Sequence, residues 1–306
     1  MQEIILKCLA LFSRYFLNFN GKFRIGAILQ KVIMGEKKWR KPEFFVKLKD
    51  GSKILIDVRS DTHLTAFWCG LYDTALIYRL MRFFKPNWII FDIGASTGYY
   101  SIPFALRIKQ IGGMVYSFEP VGSNHERLIK AIEVNGVGSF INAYKIGLGE
   151  SNATLGISMT EKGNTGNAVL TNELLIKERG FFPTEFVNVV RLDDFVKNNS
   201  ISTCHFIKID IEGAEIFFLR GAKNFLTKNK PIIYGEFNSY FFKKFNVTLK
   251  EAWDFFENLN YKFYQLNSNP INIVQFKKID HFIEGLENLI LIPPHLDNED
   301  VTKLLH

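Results

Sequence analysis

Cysteine is scarce in this chain: its 306 residues include three, Cys8, Cys69 and Cys204. They are odd in number, lie far apart and lack a C-x-x-C spacing. These features argue against a disulfide framework and against a cysteine-based zinc site. Such cysteine usage is typical of a reducing compartment, and we therefore expect a cytoplasmic protein.

Long apolar runs are missing as well. An apolar segment extends from Ile4 to Leu17, but Lys7 and Arg14 interrupt it, so it falls short of the ~18 apolar residues that a membrane span needs. A secretory signal is disfavoured, because Glu3 stands where basic charge should precede the apolar stretch. The segment is instead typical of an amphipathic helix.

The charge is unevenly distributed. Residues 1–60 contain 13 Lys and Arg against 5 Asp and Glu, a balance of +8, whereas the net charge of the chain is +7. We therefore predict a basic N-terminal extension over residues 1–60 and a domain over residues 61–300. The slightly acidic remainder lacks the basic stripe expected of a nucleic-acid-binding surface. Residues 1–41 either pack on the domain with a solvated basic rim or contact the anionic inner face of a membrane.

A glycine turn between two apolar runs is the most informative motif. The first run ends in Asp92 and is followed by Gly94 and Gly98, and the second run ends in Glu119. Strand, glycine turn, helix, strand and acid form the arrangement that holds an adenosine. The glycines let the backbone approach the ligand, and the second acid can accept the ribose hydroxyl protons. A turn that only packs a helix on a sheet is the alternative, and Glu119 argues against it.

The motif also limits which cofactor can bind. The middle glycine of the dinucleotide fingerprint is absent, and no lysine follows Gly98, so a P-loop is excluded. An adenosine without phosphates remains, and S-adenosylmethionine fits, with its ribose on Glu119 and its ammonium group facing Asp92 directly or through water. A nicotinamide-dependent oxidoreductase and a non-catalytic nucleoside- or nucleic-acid-binding module stay as alternatives. The residues that we expect to contact the cofactor are Asp92, Gly94, Ala95, Ser96, Gly98, Tyr99, Glu119, Pro120, Gly147, Leu148 and Asp210.

Strands and helices alternate after residue 88, which predicts a parallel sheet covered on both faces. Before it, the pattern around Asp50 and Gly51 predicts a β-hairpin, and residues 61–84 look helical. Residues 149–190 read as an inserted hairpin with a polar glycine loop. A helix is expected from about residue 214 to 226, and two strands are expected near the C-terminus.

Further acids stand at the ends of later strands. Asp210 and Glu236 each end an apolar run, and parallel strands place their carboxyl ends at one rim of the sheet. Asp210, Glu212 and Glu236 are therefore our candidates for a carboxylate base that removes a proton from an acceptor hydroxyl. Glu212 or Glu215 could instead only stabilise a helix N-terminus. A magnesium ion held by Asp210, Glu236 and Asn238 is the disfavoured alternative, since the acids need no metal for this purpose.

Four segments resemble the FkbM-type methyltransferases, a family of S-adenosylmethionine-dependent Rossmann-like enzymes. These segments are Phe91–Ser101, Phe118–Pro120, Val190–Phe195 and Ile207–Glu215. The resemblance covers about residues 60–292. It implies a three-layer α/β sandwich with a seven-stranded, mostly parallel sheet and an inserted antiparallel last strand. It also implies methyl transfer, usually to a hydroxyl oxygen, on acceptors such as sugars, polyketides or peptides.

The acceptor is expected near residues 61–75, in the loop 160–182 and after Glu236. Aromatic faces in these segments suit a sugar or glycan, although many aromatics of the chain belong to the core. The aromatic residues concerned are Phe67, Trp68, Tyr72, Phe181, Phe182, Phe237 and Tyr240.

Overall fold

The computed structural model describes most of the chain. The described residues are 1–16, 21–35, 39–48, 50–70, 74–159, 168–171, 177, 182–237, 239–268, 274–285, 288–296 and 298–305.

Strands and helices alternate along the central part of the chain. The strands are β1 (Glu43–Lys47), β2 (Lys53–Asp57), β3 (Trp88–Ile93), β4 (Gly113–Phe118), β5 (Ile141–Tyr144), β6 (Gly147–Leu148), β7 (Ala153–Met159), β8 (Ala168–Leu170), β9 (Glu185–Val190), β10 (Phe206–Ile209), β11 (Ile232–Glu236), β12 (Lys262–Ser268), β13 (Val274–Ile279) and β14 (Asn288–Ile292). The helices are α1 (Gln2–Phe16), α2 (Lys22–Met34), α3 (Asp61–Cys69), α4 (Thr74–Phe83), α5 (Ser101–Ile111), α6 (Gly122–Asn135), α7 (Leu192–Asn198), α8 (Glu215–Gly221), α9 (Lys223–Asn229), α10 (Ser239–Lys244), α11 (Leu249–Asn258) and α12 (Asn298–Leu305).

Of the described strands, eight form the main sheet, in the spatial order β13-β12-β14-β11-β10-β3-β4-β5. The strands from β11 to β5 are parallel neighbours, and β14 is antiparallel between β11 and β12. The prediction of a mostly parallel sheet with an inserted antiparallel last strand is confirmed. The sheet has one strand more than the seven expected, because β13 pairs antiparallel with β12 at the edge.

Helices cover both faces of the main sheet. Ile90 of β3 belongs to an apolar cluster with Phe104 of α5 and Leu128 of α6. Its neighbour Phe91 belongs to a second cluster, with Phe225 of α9. Because successive strand residues point to opposite faces, the two clusters lie on opposite sides of the sheet. The fold is therefore the expected three-layer sandwich.

Two of the expected helices are interrupted. The helix predicted over residues 61–84 is two helices, since α3 ends at Cys69, with Gly70 as its C-cap, and α4 begins at Thr74. The helix predicted over residues 214–226 breaks at Ala222, between α8 and α9. Just before this break, a Cβ on Gly221 would lie 1.9 Å from the carbonyl oxygen of Gly149, so only glycine permits this close approach of the two backbones.

A second, smaller sheet has the strand order β6-β9-β7-β8. Its strands β7 and β9 are the antiparallel pair expected as an inserted hairpin over residues 149–190. The polar glycine stretch at residues 163–167 lies outside the described residues.

The N-terminal segment packs against the rest of the protein. The hairpin of β1 and β2 is present as expected and contacts α6, while α1 and α2 contact each other and α3. Leu6, Val46 and Ile54 belong to the same apolar cluster as Leu128, so the core continues across residue 60, and the division at that residue stays a prediction. None of the described helices combines the length and apolar character needed to cross a membrane.

Candidate active site

A cavity of about 340 Å³ lies at the carboxyl ends of β3, β4 and β10. One side is formed by the glycine turn after β3 and by the segments that follow β4 and β5, and the acids after β10 also reach it. The expected cofactor residues that line the cavity are Gly94, Ser96, Glu119, Pro120, Gly147, Leu148 and Asp210.

The glycine turn is held close to two neighbouring strands. Gly94 has φ +77°, and a Cβ there would lie 1.8 Å from the carbonyl oxygen of Asp210, so no other residue fits. The backbone N–H groups of Gly94 and Ala95 both donate to the carbonyl oxygen of Phe118, at 3.0 Å. The turn is therefore fixed to the ends of β4 and β10.

Glu119 is almost fully buried at the cavity wall, with 4% of its surface exposed. One carboxylate oxygen accepts from the backbone N–H of Ser96 at 2.8 Å, and the other accepts from that of Val121 at 3.0 Å. The side-chain amide of Asn124 lies 3.5 Å from the second oxygen. Burial raises the pKa of Glu119 to about 7, against the opposing effect of these donors. The carboxyl group is thus held in a fixed orientation at the predicted ribose position.

Asp92 does not line the cavity. It is fully buried, accepts from the Ser101 hydroxyl at 2.5 Å and lies 3.5 Å from the ammonium group of Lys208. Lys208 also donates to the carbonyl oxygen of Gly94 at 3.0 Å and lies 3.6 Å from Asp210. Asp92 is therefore placed to support the glycine turn through Lys208. Its buried position disfavours direct contact with the ammonium group of the cofactor.

Three other expected cofactor residues are also set back from the cavity. A Cβ on Gly98 would meet side chains of the adjoining helices at 2.9 and 3.0 Å, so Gly98 allows close helix packing. Ala95 is buried in the core. The ring of Tyr99 stacks on His63 at 6.0 Å. These residues shape the turn from behind.

The candidate bases separate into two groups. Asp210 and Glu212 line the cavity, whereas Glu236, at the end of β11, is not among the described lining residues. Glu212 has φ +52°, an unusual conformation for a residue other than glycine. Burial raises its pKa to about 8, with further contributions from the charges of Asp210, Glu236 and Glu215.

Glu215 has a structural role. It is fully buried, and one of its oxygens accepts from the backbone N–H groups of Ile211 and Gly213, at 3.1 and 3.2 Å. It thereby closes the turn that presents Glu212. Asn238 lies outside the described residues, and in the part of the chain that the structure describes no group of three or more His, Cys, Asp or Glu is arranged to hold a metal ion.

The opposite wall of the cavity comes from β7 and β9 of the second sheet, which the sequence did not indicate as part of the site. Leu155 and Ile157 of β7 and Val187 and Val189 of β9 face the cavity. The residues of each pair are two positions apart and so lie on the same face of their strand. This alternation could have predicted an apolar face on the inserted hairpin. Further lining residues were also missed, among them Val121, Asn124, Phe217 and Phe245.

The aromatic acceptor residues expected from the sequence lie largely elsewhere. Phe67, Trp68 and Phe237 are each at most 2% exposed and belong to the core, because they pack against other apolar side chains. Phe182 is exposed to solvent. Tyr72, Phe181 and the side chain of Tyr240 lie outside the described parts of the chain.

A Rossmann-like sheet with an acid-supported glycine turn and a buried glutamate after the next strand is typical of proteins that bind a nucleoside cofactor. Within that class, the family model "Methyltransferase FkbM domain" matches residues 92–263, which is more than half of the chain. The chain therefore belongs to the FkbM methyltransferase family, and the family implies S-adenosylmethionine as the cofactor.

Individual relatives are more distant. "Methyltransferase 1" of Beauveria bassiana (strain ARSEF 2860) is 25% identical over 151 residues, which is 45% of this chain. The chain spans 59% of that protein's length. Methyltransferase FkbM from Methylobacillus flagellatus KT has 16% identity and a TM-score of 0.45, with coverage of 95% of this chain and 58% of the other. P. horikoshii TYW2 in complex with MeSAdo has 15% identity and a TM-score of 0.43, with coverage of 88% and 81%.

Proposed function

We propose that the protein transfers a methyl group from S-adenosylmethionine to a hydroxyl group of a sugar, glycan or secondary-metabolite acceptor. One observation carries this proposal: Asp210 and Glu212 line the same cavity as Gly94, Ser96 and Glu119. A carboxylate base and a cofactor site that share one cavity allow the acceptor to be deprotonated where the methyl group is delivered.

The cofactor half of the cavity fits a nucleoside. When bound, S-adenosylmethionine supplies a methyl group activated by its positive sulfonium. Glu119 would accept the ribose hydroxyl protons, since the oxygen that accepts from the backbone N–H of Ser96 can accept another hydrogen bond. Pro120 and Leu148 would border the adenine, and Gly94 the methionine part. Lys208 and Asp92 would hold the turn in place from below.

Glu212 is our first choice for the base. It reaches the cavity, and its pKa of about 8 places proton transfer near the operating pH, where a base is most effective. Asp210, beside it, would balance the positive charge of the cofactor. Glu236 would act through its charge on Glu212.

The acceptor half is bounded by apolar side chains of the second sheet. Such a wall would exclude water and leave the hydroxyl to be deprotonated by the acids opposite. The apolar character also suits an acceptor with a carbon-rich face, such as a sugar ring or a polyketide.

The test is a methyl-transfer assay that measures S-adenosylhomocysteine release with a panel of sugars, glycans and hydroxylated metabolites. We expect release with at least one hydroxyl acceptor, and a loss of about 100-fold or more in kcat for Glu212→Gln. Glu284→Gln is the matched control, because this acid is largely exposed and does not line the cavity. Turnover with amine acceptors alone would contradict O-methylation, and an unchanged Glu212→Gln rate would contradict the base.

A further inference from the structure

The helices α1 and α2 present an apolar surface to solvent. Every exposed side chain of residues 1–16 is nonpolar or aromatic, including Ile4, Phe12 and Phe16 at 66%, 53% and 75% exposure. On α2 the exposed apolar residues recur at helical spacing of three, four and seven, and thus occupy one face. They are Ile25, Ile28, Leu29 and Val32.

The polar residues of α1 point inward instead. The hydroxyl of Ser13 donates to the carbonyl oxygen of Trp68 at 2.9 Å, and the buried Arg14 guanidinium donates to that of Phe67 at 2.5 Å. Lys7 lies over the ring of Phe44, 4.0 Å from its centre. The inward face of α1 thus combines these polar side chains with the buried Leu6 and Ala10, while its outward face is apolar. This orientation is fixed, because rotating the helix would leave the buried carbonyl oxygens without these donors.

Positive charge borders this apolar surface. Arg24 and Lys31 are exposed on α2 itself, and Arg40 and Lys41 are exposed just after it. Residues 1–60 carry a net charge of +8, and the remaining residues sum to −1. The basic charge of the protein is thus concentrated in the segment that exposes the apolar side chains.

We propose that the outward faces of α1 and α2 form a docking surface for an anionic lipid bilayer. The apolar side chains would enter the boundary between headgroups and acyl chains, and the surrounding Lys and Arg would contact lipid phosphates. The ring of Phe16, which is 75% exposed at the end of α1, would enter the same boundary. This inference does not depend on the acceptor or on the activity proposed above.

A second copy of the chain is the rival occupant of this surface. In a symmetric pair the same patch meets itself, so the cations along α2 would approach their own counterparts. An anionic lipid surface has the opposite charge and no such conflict, and the observations therefore favour the lipid.

The experiment is co-sedimentation of the full chain with phosphatidylcholine vesicles, with and without phosphatidylglycerol, alongside size-exclusion chromatography. We expect binding at least about tenfold stronger with phosphatidylglycerol, and weaker binding as salt rises. Phe12→Glu with Ile28→Glu should reduce binding about tenfold or more, because charge enters the apolar face. Phe186→Glu is the matched control, since Phe186 is 70% exposed on β9.

Thermal unfolding of each variant checks that the fold is intact, which we expect because the changed side chains are exposed. A lack of vesicle binding by the wild type at low salt would overturn the proposal. Vesicle binding that is unchanged in the double variant, or that is lost to the same extent in Phe186→Glu, would also overturn it. A third contradicting result would be a dimer that dissociates in the double variant, together with no vesicle binding. Equal binding to neutral vesicles would overturn the assignment of an anionic partner.

Discussion

Several carboxylates lie at or just beyond the strand ends of the main sheet, and each has different surroundings. Asp92 is paired with Lys208, Glu119 is held by two backbone amides, and Glu215 closes the turn after Asp210. Glu212 has no such donor among the described hydrogen bonds, and its pKa is raised to about 8 by burial and by neighbouring acids. The residue type alone would not distinguish these roles, because burial and partners set them.

The pH dependence of methyl transfer tests the role of Glu212. A base acts only when ionised, so kcat should rise with pH through a midpoint at or below about 8, because burial raises the pKa of Glu212 to about 8 and the bound sulfonium lowers it again, and kcat should level off above that midpoint. Asp210→Asn should lower this midpoint, because it removes a neighbouring negative charge. The measurement is kcat against pH for the wild type and Asp210→Asn, and a flat wild-type profile between about pH 6 and 9 would contradict the assignment.

The buried ion pair of Lys208 and Asp92 should contribute to the stability of the protein. Lys208→Met would leave Asp92 buried without a cation, which costs about 3–5 kcal/mol of unfolding free energy. The control is Lys208→Met combined with Asp92→Asn, which should recover part of the loss because the buried charge is gone. Urea denaturation measures both variants. A single variant within about 1 kcal/mol of wild type would show that the pair does not hold the turn.

Among the elements, the alternating centre of the chain could be predicted well and its two ends less so. The strands before Asp92 and Asp210 follow from buried apolar runs that end in an acid. The edge strand β13 was not predicted, since strand pairing at a sheet edge leaves a weak apolar pattern. The orientation of α1 also could not be predicted, because it depends on inward partners of Ser13 and Arg14 that lie more than fifty positions away.

The part of the site built from sequence motifs was predicted better than the part built from tertiary packing. The glycine turn and Glu119 lie where the motif predicts. Asp92 and Gly98 belong to the same motif but face away from the cavity, since motif spacing does not show which side of a turn a side chain occupies. The wall from β7 and β9 depends on how the second sheet folds over the first.

His63 connects the N-terminal hairpin to the glycine turn, and it should make the stability of the protein depend on pH. His63 is fully buried; its Nδ1 accepts from the backbone N–H of Asp57 at 3.0 Å, and its Nε2 lies 3.5 Å from the hydroxyl of Thr97. Burial is the main reason that its pKa is lowered to about 4, and the positive charge of Arg127 is the second. Below its usual pKa the unfolded chain binds a proton that the folded chain does not, so stability should fall as pH drops from about 6.5 to 4.

Chemical denaturation across this pH range checks the effect. The slope attributable to His63 is at most about 1.4 kcal/mol per pH unit. His63→Asn keeps an acceptor near Nδ1 and cannot take up the proton, so its stability should vary less with pH over this window. The raised pKa values of Glu212 and Glu215 act in the opposite direction as pH rises, and the difference between wild type and variant isolates His63. Identical profiles would contradict the prediction.

At the scale of the whole molecule, cofactor binding should be coupled to proton release. A positive sulfonium near Asp210 and Glu212 would lower the pKa of Glu212 from about 8 and release part of a proton at about pH 7.5. S-adenosylhomocysteine lacks the sulfonium charge and should release fewer protons. Calorimetry in buffers of different ionisation enthalpy measures the number released, and equal release by the two ligands would contradict the account.

The proposed function requires that the cavity beside Glu119 binds the nucleoside of S-adenosylmethionine. Calorimetric titration with S-adenosylhomocysteine, for the wild type and Glu119→Ala, tests it most directly. We expect micromolar binding by the wild type and a loss of about tenfold or more in the variant, since the ribose hydroxyls lose their acceptor. Thermal unfolding of Glu119→Ala verifies that the variant is folded. No binding by the wild type, or equal binding by a folded variant, would contradict the cofactor site.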